Sequence, residues 1–422
     1  MRVVVEPSVI SGEVKAIPSK SYAHRQLICS AFANRDTKIH CDSLSEDITA
    51  TMNCLRSLGA VVHFENGVIT VSPIKTPVKN ARLDCGESGS TYRFLVPVVA
   101  ALGCGATFVL GGRLPERPME HLWETLEKHG VEISGKESAE VSISGVLSEG
   151  VYSLPGNISS QFISGFLLAL PLLRNASSLE VTGHLESSGY LDITIDVLSY
   201  FGAEMEEYEN RYTFVGNKGY FSPGSLITEG DWSNSTFWFC GAAASKNIMS
   251  CSNLNLESSQ GDIAVMEVLK GMGAKIKINK SKVTVEPSCL KGIEIDASEI
   301  PDLIPALAVA ACSAEGETFI YNAGRLRMKE SDRLFSIAET LTSLGADVSE
   351  GKDSLTIRGG KKLKGGKVFS HGDHRIVMMS AMASLISEEE IIIESAEAVN
   401  KSYPNFFDDL ASLGAVIRKE TL

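Results

Sequence analysis

With 422 residues and a formal net charge of −13, the chain is long enough for two or three ordinary domains and too acidic for a generic nucleic-acid binder, so any cationic cluster on it is local. Hydrophobic residues at 44% and charged residues at 22% lie in the globular range and exclude disorder as the default. Nine cysteines without a CxxC pair and eight histidines without HExxH spacing argue against a disulfide framework and against a metal site, and most of the cysteines are expected to be small buried apolar residues.

In chain order, the opening MRVVVEPSVI lacks a basic segment followed by a long apolar stretch and does not read as a secretory signal. The longest apolar runs, such as 166–173, are too short to span a bilayer, and a soluble cytoplasmic protein is expected. PSKSYAHR (18–25) then crowds Lys20, His24 and Arg25 among small polar residues as an apolar helical pattern begins. On a helix Lys20 shares a face with His24, and Ser21 with Arg25. The segment reads equally as a solvated first turn capped by Ser19 or as a site holding phosphate or carboxylate through charge-assisted hydrogen bonds. Lys20-Ser21 resembles the end of a nucleotide P-loop, but residues 14–19 lack the required glycines.

CLRSLGAVV (54–62) reads as a helix whose terminal glycine turns left-handed before the chain enters a strand. The pattern recurs as TLEKHGVEI (125–133), VLSYFGAEM (197–205), VLKGMGAKI (268–276), TLTSLGADV (340–348) and DLASLGAVI (409–417). The six glycines, Gly59, Gly130, Gly202, Gly273, Gly345 and Gly414, stand 69 to 72 residues apart, the signature of six repeated units. Interleaved with them, polar clusters marked by Ser21, Ser90, Ser160, Ser233, Asp302 and His374 open apolar helical stretches 69 to 73 residues apart. Each unit therefore owns two helices. The second set is apolar nearly all round and is expected beneath a sheet with only its N-terminal ends at a surface, where unpaired N–H groups and the helix dipole suit anions. If the repeats share orientation, these ends converge.

Units of about seventy residues are small for independent domains, and two domains of three units each is the natural grouping. The glycine-rich tract 216–231 is the candidate crossing point, and two halves leave a cleft of the kind where sites commonly lie.

Several segments carry possible chemistry. GESGST (86–91) is a helix opening through which backbone N–H groups can approach a ligand, or simply a tight turn. LPERPMEH (114–121) contributes Arg117, HGDHR (371–375) contributes two histidines, an aspartate and Arg375, and NKSYPNFF (400–407) contributes Lys401. GRLRMKESDRL (324–334) sets Arg325, Arg327, Lys329 and Arg333 against Glu330 and Asp332. It reads as an exposed ion-pair network of little energetic value, or as a place for proton transfer beside an anion. Asp302, alone before a long apolar helix, reads first as a cap.

Together PSKSYAHR, LPERPM, SSQF, SSGYLDIT, IPD, MKESDRL, GDHR and KSYPNFF resemble, in order and over essentially the whole chain, the motifs of the enolpyruvyl transferases, most closely those acting on shikimate 3-phosphate. The resemblance implies a mixed α/β (α+β) fold of two domains, each built from three βαβαββ repeats around buried helices, with the active site in the interdomain cleft. It assigns 1–18 plus 229–422 to one domain and 19–228 to the other. The implied reaction moves the enolpyruvyl group of phosphoenolpyruvate to the 5-hydroxyl of shikimate 3-phosphate by addition and elimination, releasing phosphate. No cofactor or metal, no nucleic acid and no membrane are implied, and the family expectation is a monomer.

Carried over by motif, Lys20, Ser21, Arg25, Ser159, Ser160, Gln161, Ser187, Asp302 and Lys329 resemble the ligands of shikimate 3-phosphate, with Tyr190 packing nearby. Lys20, Gly89, Arg117, Gln161, Arg333, Arg375 and Lys401 resemble the phosphoenolpyruvate set. Asp302 resembles the family's base, Glu330 the acid, and Lys20 a proton shuttle or electrostatic stabiliser, with His374 beside them. Two positions depart from the pattern: Glu87 and Arg325 stand where members of the family have asparagine. Gly89 is retained, which implies sensitivity to glyphosate, an inhibitor of the family. Closure of the domains on binding is expected. The rival transferase acting on UDP-N-acetylglucosamine typically carries a cysteine in the loop matching GGRLPERPMEH, and none occurs here. A non-catalytic anion-binding scaffold would keep the glycines without needing Asp302 and Glu330.

Overall fold

Twelve α-helices follow one another among the described residues: α1 (Lys20–Ala31), α2 (Glu46–Ser57), α3 (Gly89–Leu102), α4 (Glu120–Lys128), α5 (Ser160–Ala169), α6 (Ser188–Tyr200), α7 (Trp232–Ser245), α8 (Val265–Gly271), α9 (Ile304–Ser313), α10 (Arg333–Ser343), α11 (His374–Ala383) and α12 (Phe406–Ser412). The structure is a computed structural model describing residues 1–216 and 218–420. Asn217, within the tract read as a crossing point, lies outside the described residues, as do Thr421 and Leu422.

The two interleaved sequence series alternate along this order. Even-numbered helices end two residues before the six repeat glycines, all of which have positive φ, from 65° at Gly202 to 111° at Gly59. Only glycine takes that left-handed turn without steric cost, and the chain uses it to re-enter a sheet. Odd-numbered helices are the more deeply buried ones. Every residue of α11 is buried, as are Tyr22–Ala31 in α1 and Ile304–Cys312 in α9.

Six four-stranded sheets accompany the helices among the described residues; in four of them the strands lie in the spatial order first, second, fourth, third, and the other two each take one strand from a distant part of the chain. In one of them Val151–Pro155 runs parallel to Ser177–Thr182, which pairs antiparallel with Arg211–Phe214, which pairs with Met205–Tyr208. Alternation gives each sheet one inward face, as in Val68–Ser72, where Ile69 and Val71 are buried between half-buried neighbours.

Contacts divide the chain into two units, Pro18–Thr228 and Met1–Ile17 with the chain from Glu229 onward, and each has its own hydrophobic core. Three strands are supplied from a distant part of the sequence. Ser225–Ile227 completes the sheet of Thr37–His40, Gly12–Lys15 completes that of Met249–Ser252, and Arg2–Val5 inserts between Ile391–Glu394 and Ile417–Glu420. Eight of the nine cysteines are buried and Cys289 is exposed. Among the described residues no helix is long and apolar enough to cross a membrane.

The buried helices approach closely where side chains are absent. A Cβ at Gly165 in α5 would lie 2.4 Å from the Arg93 carbonyl oxygen of α3 and 3.2 Å from Pro97 Cγ. The obstacle is backbone, which cannot swing aside. Gly165→Ala is therefore expected to lower stability by about 1–3 kcal/mol, read by denaturant unfolding; unchanged stability would show that α3 and α5 are not in contact at this point.

Candidate active site

In the unit Pro18–Thr228 the openings of α1, α3, α5 and α6 are tied together by polar side chains. Arg25, 2% exposed, donates from Nε to Thr194 Oγ1 at 2.7 Å, from Nη1 to the Ser21 carbonyl at 2.7 Å, and from Nη2 to Ser164 Oγ at 3.1 Å and the Tyr190 carbonyl at 2.9 Å. Its guanidinium carbon stands 4.7 Å from the centre of the Phe94 ring. Every one of these partners is neutral, and burial pushes the guanidinium pKa down to about 10. One N–H on Nη1 has no partner among the described residues.

Lys20, at the first position of α1, pairs with Asp47 at 2.7 Å. Gln161 receives Arg93 Nη1 at 2.8 Å and donates to Ser90 Oγ at 3.0 Å, linking α5 to α3. Ser159 caps α5 by accepting from the Gln161 amide, while Ser160 is buried in its first turn. Ser187, buried with φ +56°, precedes α6, and its carbonyl accepts from the Tyr190 amide. The Arg117 guanidinium lies against Gly89: a Cβ there would come 2.6 Å from Arg117 Nη1.

In the other unit, Asp302 is the centre of a charge cluster. Its Oδ1 lies 2.7 Å from Arg333 Nη1 and 3.2 Å from Lys329 Nζ, and its Oδ2 lies 3.6 Å from Arg375 Nη2. Arg333 also meets Glu330 at 2.6 Å and Asp373 at 2.7 Å. Arg375 donates to the Asp302 carbonyl at 2.8 Å and to Ser233 Oγ at 2.7 Å. Buried His374 sits 3.7 Å from Asp373, and Lys401 donates to the Gly372 carbonyl at 2.9 Å.

The environment divides these groups electrostatically. Burial opposes the charge on Arg333, but Asp373, Glu330 and Asp302 outweigh it and raise its pKa. Burial likewise works against the Asp373 carboxylate, and Arg333 holds its pKa below the ordinary value nonetheless. Burial pushes Lys329 down to about 8, with Asp302 opposing and Arg333 reinforcing the shift. Asp262 is pushed up to about 6 by burial and by Asp302.

A family model described as EPSP synthase (3-phosphoshikimate 1-carboxyvinyltransferase) matches residues 4–410. The chain belongs to the EPSP synthase family. It is 42% identical over 425 residues to the 3-phosphoshikimate 1-carboxyvinyltransferase of Clostridium perfringens (strain SM101 / Type A), covering 99% of this chain and 100% of that one. With the protein of the same name from Clostridium botulinum (strain Alaska E43 / Type E3) it shares 44% over 420 residues, covering 97% and 96%. Among solved structures, EPSP synthase from Acinetobacter baumannii superposes with TM-score 0.82 at 27% identity, over 99% of this chain and 100% of that one. The enolpyruvyl transferase NikO from Streptomyces tendae, with TM-score 0.81 at 19% identity over 99% and 98% of the two chains, shares the fold.

For this EPSP synthase family member, several local readings of the sequence need correction. Ser19 occupies the N-cap position of α1 but its side chain makes no capping hydrogen bond, and the first turn is buried rather than solvated, since His24 and Arg25 are drawn into the core side. Asp302 does not cap α9; it lies in the preceding 3₁₀ turn Pro301–Leu303 and spends its oxygens on cations. Lys329 stands in extended backbone ahead of α10, which begins at Arg333. The GRLRMKESDRL segment divides: Arg327 forms a partly exposed network with Asp332 and Glu350, whereas the Arg333 side chain is 1% exposed.

Asp47 and Arg93 were not singled out from the sequence, Ser233 was read only as a repeat marker and Asp373 was given no role, yet each holds one of the predicted residues in place. Asp373 had a local signal in its place in HGDHR, and Ser233 in its repeat position. It caps α11 and pairs with Arg333 in a fully buried setting, so its removal takes a cap and a charge partner at once. Asp373→Ala is expected to cost about 3–5 kcal/mol in an equilibrium unfolding measurement; a loss below about 1 kcal/mol would mean that the remaining carboxylates, Asp302 and Glu330, suffice for Arg333.

Proposed function

We propose that the chain transfers the enolpyruvyl group of phosphoenolpyruvate to the 5-hydroxyl of shikimate 3-phosphate, giving the enol ether and inorganic phosphate, in the shikimate pathway that leads to aromatic compounds. The observation that carries the reading is Arg25, a buried guanidinium whose hydrogen-bond partners among the described residues are all neutral. A buried charge without a counter-charge is costly, and the cost is recovered when an anion binds. Both substrates carry several negative charges.

Within this reading, Ser21, Arg25, Ser159, Ser160, Gln161, Ser187 and Lys329 bind the acceptor, with Tyr190 beside it. Arg117, Arg333, Arg375 and Lys401 bind the donor next to Gly89, and Lys20 and Gln161 serve both substrates. Asp302 takes the proton of the attacking hydroxyl and Glu330 delivers one to the methylene carbon, while Lys20 stabilises developing charge and His374 supports the acid–base set. The ion pairs between Asp302 and Lys329 and between Glu330 and Arg333 support these roles, because charges of both signs are already oriented before substrate arrives. Addition and elimination need only such acid–base groups and cations, so the enzyme is read as requiring no cofactor; a cytoplasmic monomer is the expectation that the family resemblance carries. Transfer to UDP-N-acetylglucosamine is disfavoured by the absence of cysteine from residues 111–121.

Phosphate release from phosphoenolpyruvate, followed with shikimate 3-phosphate or UDP-N-acetylglucosamine as acceptor, tests the assignment: release is expected with the first alone, and its absence there defeats the reading. Asp302→Asn is expected to lower turnover roughly 10²–10⁴-fold, and a near-normal rate removes Asp302 from the base role.

A further inference from the structure

Glu87, one of the two positions that depart from the family pattern, is exposed, but its carboxyl group is not loose in solvent. A Cβ added at Gly112 would meet Glu87 Cδ at 2.4 Å and its two carboxyl oxygens at 2.6 and 2.8 Å. Gly112 has φ +52°, a conformation that side-chain-bearing residues adopt only at a steric cost, and the turn presents bare backbone to the carboxylate. Beside it, the Gly111 amide donates to the Gly86 carbonyl at 2.7 Å, and a Cβ at Gly111 would lie 3.3 Å from that carbonyl and 3.5 Å from Glu87 Cγ.

The segment starting at this turn leads directly to Arg117. The Leu114 amide donates to the Gly111 carbonyl at 3.1 Å, the Arg117 amide to the Leu114 carbonyl at 3.3 Å, and Arg93 holds the Pro118 carbonyl at 3.0 Å. At the far end the Arg117 guanidinium lies on Gly89. The contact between the two loops is therefore reciprocal. A charged side chain of 86–89 lies on a glycine of 111–117, and a charged side chain of 111–117 lies on a glycine of 86–89.

We propose that Glu87 is a positioning residue for the donor: its carboxylate seats the Gly111–Gly112 turn, and this seating keeps the Arg117 guanidinium over Gly89. The inference rests on the reading that Arg117 binds phosphoenolpyruvate. A misplacement of a binding cation by a fraction of an ångström to one ångström is enough to change affinity strongly. Because Glu87 is exposed and lies outside both cores, truncating it leaves the fold intact and acts on the turn.

Two readouts on the full-length enzyme decide the matter separately. Hydrogen exchange in the substrate-free protein needs no activity. In Glu87→Ala the peptide spanning 111–117 is expected to exchange about tenfold faster, while Glu87→Gln, which keeps the shape, exchanges like the wild type. In steady-state kinetics Glu87→Ala is expected to raise KM for phosphoenolpyruvate about tenfold with kcat and the KM for shikimate 3-phosphate changed less than about twofold, and Glu87→Gln to restore most of the loss. Gly112→Ala, which puts a methyl where the carboxylate lies, is expected to reproduce the Glu87→Ala phenotype without adding to it in the double variant. Unchanged exchange in Glu87→Ala, or a loss falling equally on both substrates and kcat, overturns the proposal. A wild-type enzyme that transfers nothing to shikimate 3-phosphate overturns the functional reading instead, and the exchange comparison still judges the seat.

Discussion

A helix buried on all sides can reach a surface only at its ends. The odd-numbered helices are buried along nearly their whole length, and the hydrophobic residues around them form the cores of both units. Their N-terminal amides, one of which is capped by Ser88, Ser159, Asp231 or Asp373 in α3, α5, α7 and α11, stand at the positive pole of the helix dipole. The side chains gathered there, Lys20 and Arg25 on α1, Gln161 on α5, Arg375 on α11, with Asp302 just before α9, follow from that restriction. The sheets have a different task, covering each helix with one apolar face and returning the chain through a glycine turn so that the next helix opens in a corresponding place.

The two units treat charge differently. Around Asp302 the cations are brought in with carboxylates, so Arg333 and Asp373 each stabilise the other's charged form despite burial. Lys329 and Asp262 are less well matched, and their values move to about 8 and about 6. Such a cluster, with neighbouring groups that differ in how readily they hold a proton, suits the acid–base roles proposed for it. Among the described residues, the hydrogen-bond and ring partners of Arg25 are hydroxyls, carbonyls and the Phe94 ring, and none is a carboxylate. That arrangement leaves net positive charge for a ligand to neutralise, which suits binding rather than proton transfer.

How much of this was legible in the sequence follows from range. A helix, its closing glycine and the strand after it lie within a few residues of one another, so the repeat at Gly59, Gly130, Gly202, Gly273, Gly345 and Gly414 could be read directly. The apolar character of α9 and α11 was equally plain. Strand exchange was not legible from composition or periodicity: Ser225–Ile227 pairs with Thr37–His40 and Arg2–Val5 with Ile391–Glu394, across separations that no local pattern encodes, and only the family resemblance suggested that the N-terminal strand crosses over. Asp302 was misread as a cap for the same reason, because Arg333 and Arg375, which claim its oxygens, are far away in the chain. Glu87 was visible as a departure, but its contact with Gly112 depends on how two loops meet.

The central claim is that the buried helix openings are charged in order to receive anions, with Arg25 as its clearest case. A crystal structure of the enzyme with shikimate 3-phosphate bound tests this most directly. The account predicts an anionic oxygen of the ligand within about 2.7–3.2 Å of Arg25 Nη1, with Ser160 or Gln161 also in contact. A ligand bound elsewhere, with Arg25 keeping only its four neutral partners, would contradict it.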